Sequence, residues 1–151
     1  MTKVLLSVHV LVAILAIGPI AVAASLFPRH VRAAGEPGGR RVAAFLHRTC
    51  RAYTVAGLAV PVFGVATGAR LGVLTDAWLL ASVALTAGAA ALLALAILPG
   101  QRRLLAGAGT DDELHVRAES ARLAMLTGTF NLLWAVVVVL MIVRPGSTTG
   151  A

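Results

Sequence analysis

The chain has 151 residues, 59% of them hydrophobic, 13% charged and 5% aromatic, with one cysteine and a formal net charge of +7. A soluble 15.4 kDa domain has a high ratio of surface to volume and must cover itself with polar groups, so a mean hydropathy of +0.91 excludes one. The same value excludes intrinsic disorder, and the lone Cys50 excludes a disulfide scaffold. The basic residues are too few and too clustered for the stripe of a nucleic-acid binder, which leaves the lipid bilayer as the partner.

An apolar run of about 20 residues crosses a hydrocarbon layer of ~30 Å. Four runs qualify in chain order: 4–27, 52–74, 77–98 and 123–143. All read as helices, the form that satisfies its own backbone hydrogen bonds in lipid. Lys3 and Ala21-Val22-Ala23 imitate a secretion signal, but the apolar run exceeds the ~7–15 residues of one, so the first segment is read as a retained helix. The short connection at Thr75-Asp76 makes the second and third helices antiparallel neighbours. Pro99-Gly100 reads as the end of the third helix, and Gly35-Glu36-Pro37-Gly38-Gly39 as the break between the first and second. Thr110-Asp111-Asp112-Glu113 matches a capping box, which starts the fourth helix before its apolar run. With basic lead-ins included, the expected helices are 4–27, 42–74, 77–98 and 111–143, an all-α, integral membrane four-helix bundle in one domain.

Orientation follows from the basic residues. Arg29, Arg32, Arg40, Arg41, Arg48, Arg51, Arg102, Arg103, Arg117 and Arg122 all fall toward one side, which makes ten of the thirteen. Only Lys3, Arg70 and Arg144 fall on the other. Lysine and arginine mark the cytoplasmic side, so both termini are expected outside (N-out/C-out) in a bacterial cytoplasmic membrane. Arg41, Arg48, Arg51, Arg117 and Arg122 are the expected contacts for anionic lipid headgroups.

Gly57, Gly64, Gly68 and Gly72 fall within about 80° on the second helix, together with Pro61. Such a stripe admits a second backbone closely, either within the chain or in a homodimer or larger membrane complex. Asn131, near the middle of the fourth span, reads as an interhelical hydrogen-bonding residue. His9 lies about 8 Å inside the first span and shares a face with Ala13 and Ala16. A neutral histidine there is either a hydrogen-bonded structural residue or a haem or metal ligand. In the second case Met141 is the soft ligand at similar depth and Arg70 a propionate partner. Nothing in the sequence matches a phosphate-binding loop, a dinucleotide fingerprint, HExxH, CxxC or a nucleophilic triad.

The segment from His9 to Gly18, the glycines Gly57–Gly68, Trp78, Pro99 and Arg102-Arg103-Leu104 resemble a family of small bacterial predicted integral membrane proteins of unknown function. The departures are Ala16, where the family often has Trp, and Pro19 in place of a second Gly. More distantly, His9 alone resembles the first-helix histidine of copper-resistance protein D and of haem-binding protoporphyrinogen oxidase-type membrane proteins. The resemblance implies a four-helix membrane fold. The function expected is that of a non-enzymatic interaction or accessory subunit. A redox protein using His9 is the alternative, and a small transporter a weaker one, since no acidic residue lies within a span.

Overall fold

The computed structural model describes residues 2–36, 38–107 and 112–146, and its elements are helices throughout. Helix α1 covers Thr2–Arg32, longer than the apolar run at both ends. It continues through Pro19 and Pro28 into a basic last turn. There His30 Nδ1 donates to the Leu26 carbonyl at 3.0 Å and Arg32 Nε to the Pro28 carbonyl at 3.2 Å. Both side chains thus fold back onto carbonyls of the preceding turn of their own helix.

The second span is not one helix over 42–74. It divides into α2, Gly39–Gly57, and α3, Ala59–Leu71, at Leu58. Pro61 has no N–H to offer the Gly57 carbonyl, and the Leu58 N–H turns back to the Val55 carbonyl at 3.2 Å in a tighter turn. Helix α3 stops at Gly72, whose φ of 71° is the left-handed closure that glycine permits.

The third span corrects the expectation in the opposite sense. Helix α4, Ala77–Leu92, passes through a π turn at Leu93–Ile97 into α5, Leu98–Gly107, so Pro99-Gly100 does not end it. Pro99 directly follows the π turn, in which the Leu98 N–H reaches back five residues to the Leu93 carbonyl. Helix α6 covers Glu113–Val143. Thr110 and Asp111 of the expected capping box lie outside the described residues.

Helix α1 packs along α2 and α3 on one side and along α6 on the other, while α4 packs on α6 and α5 reaches α2. The short turn therefore does not make the second and third spans close neighbours over their length: α3 and α4 touch little, and α2 with α5 closes the ring. The core lies toward the arginine-rich end, with Ile20, Phe27, Leu46, Leu93, Ile97 and Phe130 among its buried members. Gly100 lets α5 settle onto Leu123 of α6. All four spans are long and apolar enough to cross a membrane, and only 17–28% of their apolar windows is buried inside the chain. Leu15, Val62, Leu95, Leu132 and Ile142 point outward.

Candidate functional site

The polar side chains inside the bundle form three separate arrangements. Toward the end that carries the termini, His9 Nδ1 donates across to the Val60 carbonyl of α3 at 3.0 Å. The carbonyl can only accept, so Nδ1 carries a proton, and in the neutral ring Nε2 is then the acceptor nitrogen. The ring rests on Gly64, where a methyl would lie 3.0 Å from His9 Cε1. The glycine stripe is thus used within the chain. Gly57 faces Ala16 and Ile20 of α1, Gly64 faces His9, and Gly68 lies under Leu74 and Leu79. Gly72 meets nothing within 4 Å and serves to end α3.

His9, Arg70 and Met141 share no hydrogen bond or ion pair among the described residues. His9 is turned to α3, Arg70 is exposed near the end of α3, and the Met141 carbonyl accepts from Arg144 Nε at 3.3 Å. Arg144 also lies over the Trp78 ring at 5.6 Å, and Trp78 Nε1 donates to Asp76 Oδ2 at 3.1 Å. This group ties the end of α6 to the start of α4.

Nearer the basic end a polar chain joins three helices. His47 Nδ1 of α2 donates to Gln101 Oε1 of α5 at 3.0 Å, Gln101 Nε2 donates to Cys50 Sγ at 3.7 Å, and the Cys50 thiol faces the Ile20 carbonyl of α1 at 3.9 Å. Gln101 is 1% exposed, so this bonding replaces the water it has lost. Sequence reasoning missed Gln101 because it adjoins Arg102-Arg103 and reads as part of a polar exit. Its spacing of three from Leu98 and Leu104, which puts all three on one helical face, is the signal that was there to find.

The third arrangement runs along α6. Asn131 Nδ2 donates to Ser25 Oγ of α1 at 3.3 Å. Ser120 Oγ, Thr127 Oγ1, Asn131 Oδ1 and Trp134 Nε1 are buried without a hydrogen-bond partner among the described residues. At 100° per residue these four side chains fall within about 60° on one face.

At the basic end two cavities open. One, of about 430 Å³, lies between α5 and α6 and is lined by Arg103, Leu104, His115, Glu119 and Arg122. The other, of about 290 Å³, is lined by Arg32 of α1 and by Glu113, Val116 and Arg117 of α6. Arg117 pairs with Glu113 at 2.7 Å, and Arg122 lies 3.8 Å from Glu119. Of the expected headgroup residues, Arg117 and Arg122 line these cavities, whereas Arg41, Arg48 and Arg51 stand on α2 away from both. Arg103, which was expected only as an orientation charge, joins Arg122.

Comparison with known protein families, with curated proteins and with solved structures finds no match for this chain.

Proposed function

We propose that this chain is a multi-pass protein of the bacterial cytoplasmic membrane, N-out/C-out, acting as a non-enzymatic interaction or accessory subunit. The observation that carries the interaction role is the uncovered face of α4. Ala77, Ala81, Ala84, Gly88 and Ala91 alternate at spacings of four and three, and all are exposed. A methyl added to Gly88 would meet nothing within 4 Å, so the chain itself does not use this face. In lipid, where no hydrophobic drive joins helices, small side chains at such spacing gain dispersion energy from a closely approaching backbone. The arginine-rich end faces the cytoplasm in this reading and meets anionic headgroups there. Its likeness to the small bacterial integral membrane proteins, carried by His9–Gly18 and the helix-two glycines, supports the same assignment.

Photo-crosslinking in intact membranes tests the role. A crosslinker at Ala84 is expected to give one discrete protein adduct, whether with a second copy or with another subunit, and one at Val62 on the outward face of α3 is not. Equal behaviour at the two positions, or lipid adducts alone, refutes the interaction role. A C-terminal reporter that is active only outside the cytoplasm tests the orientation.

One observation favours the second reading, a haem- or metal-binding protein. The Val60 carbonyl fixes the His9 tautomer that presents Nε2 as an acceptor, which is how metal-binding histidines are commonly held. An absorbance spectrum of the detergent-purified protein, with and without dithionite, decides the haem form: a haem band that disappears in His9→Ala supports it and a featureless spectrum removes it, while elemental analysis of the same sample decides the metal form.

A further inference from the structure

The cavity between α5 and α6 combines a defined depth with a defined charge. Arg103 follows shortly on the apolar run of the third span, and Arg122 immediately precedes the apolar run of the fourth. In the membrane reading on which this inference rests, both guanidinium groups therefore stand where their helices leave the hydrocarbon, at the level of lipid phosphates. Leu104, 3% exposed, closes the cavity on the side of the protein core. The charged lining is two arginines and one glutamate, a net charge of +1 before any proton on His115.

We propose that this cavity binds the phosphodiester of an anionic lipid headgroup. Arg103 and Arg122 come from different helices and present planar donor forks to the phosphate oxygens, a geometry that lysine does not reproduce. His115 adds a ring nitrogen from two turns earlier in α6. Glu119 is held three residues from Arg122, with the two charges 3.8 Å apart, and accepts from hydroxyl groups of a polyol headgroup. A headgroup carrying one negative charge neutralises the net +1 of the lining. A zwitterionic headgroup adds no net charge and leaves the +1 to solvent and counterions. A soluble phosphate ester offers the same oxygens but no acyl chains to hold it in the bilayer.

The test uses the full chain purified in a mild non-ionic detergent, with melting followed while phosphatidylglycerol, phosphatidylcholine or glycerol phosphate is added at matched concentrations. Phosphatidylglycerol is expected to raise the melting temperature saturably, and the other two are not. Arg103→Gln with Arg122→Gln is expected to weaken the apparent Kd about tenfold or more, while Arg29→Gln with Arg40→Gln, which removes the same charge from α1 and α2 at the same end, changes it by less than about twofold. Equal weakening by the two pairs overturns the site in favour of diffuse surface charge. Stabilisation by glycerol phosphate equal to that by lipid overturns it in favour of a soluble ligand, and by phosphatidylcholine in favour of general lipid solvation. Where the glutamine pair does not survive purification, Arg103→Lys keeps the charge without the fork, and unchanged binding in that variant overturns the assignment. Carbonate extraction separates the two levels of failure. A chain washed out of membranes ends the membrane reading, whereas one retained but indifferent to phosphatidylglycerol ends the headgroup site alone.

Discussion

Replacing Gly100 by alanine sets two effects of comparable size against each other. An added methyl would lie 2.8 Å from Leu123 Cδ2, 3.4 Å from Cγ and 3.7 Å from Cδ1. The whole isopropyl end of Leu123 therefore sits on the glycine, and Leu123 is only 3% exposed, with core neighbours that restrict its swing. Overpacking of this kind costs ~1–3 kcal/mol. Alanine's better helix propensity returns about 1 kcal/mol. Gly128, in the middle of α6, supplies the reference, because a methyl there meets nothing within 4 Å. Gly128→Ala should show the propensity gain alone, so Gly100→Ala should fall below it by the steric cost, ~1–3 kcal/mol. Equilibrium unfolding in mixed detergent micelles measures both variants under one protocol. Adding Leu123→Ala to Gly100→Ala opens the space again, so the double variant should be more stable than the sum of the single effects. Equal shifts for the two glycine variants, together with an additive cycle, would refute the close packing of α5 on α6.

The same unfolding assay checks three further expectations. Gln101→Leu leaves the His47 N–H without its acceptor and should cost ~1–3 kcal/mol, with His47→Phe in the same background restoring part of it. Thr127→Val removes a buried hydroxyl that has no partner at almost constant volume, and should stabilise by about 1 kcal/mol; a loss of that size shows that the hydroxyl is bonded. Arg144→Ala should lose ~0.5–1 kcal/mol with the cation over Trp78. Arg144→Gly should be less harmful than Arg144→Ala, because Arg144 has a φ of 45°, and the reverse ranking speaks against that backbone conformation.

The four spans were legible because a bilayer imposes one crude demand, about 20 consecutive apolar residues, that any single stretch of sequence can meet or fail by itself. Interruptions were harder to read. Pro61 and Pro99 carry the same local signal, a missing N–H, yet the chain breaks before one and runs through the other. The difference lies in the turn upstream: tight at Leu58, wide at Leu93–Ile97. The neighbour relation inferred from Thr75-Asp76 holds only at the two ends of the spans, α3 with α4 and α2 with α5, and not along their length. A short turn fixes only where two helices meet, and α1 and α6 then draw α3 and α4 apart. Among the site residues, His9 and Asn131 were visible as polar groups in apolar runs, but their partners, a backbone carbonyl and Ser25, lie on other helices and leave no mark nearby in the sequence. The meeting of Arg103 with Arg122 was hidden for the same reason, since it depends on how far each helix continues beyond its apolar run.

The wide turn at Leu93–Ile97 also acts as a phase adjuster. Upstream of it the third rod turns Leu79, Ser82 and Ala89 inward; downstream the inward set is Gly100, Gln101 and Leu104. One residue more or less at this point rotates everything that follows by about 100°. A single-residue deletion there would leave every hydropathy profile intact. It would nevertheless swing Gln101 away from His47, lift Gly100 off Leu123 and re-aim Arg103. At this end of the molecule, residue count is as much a constraint on the sequence as residue type.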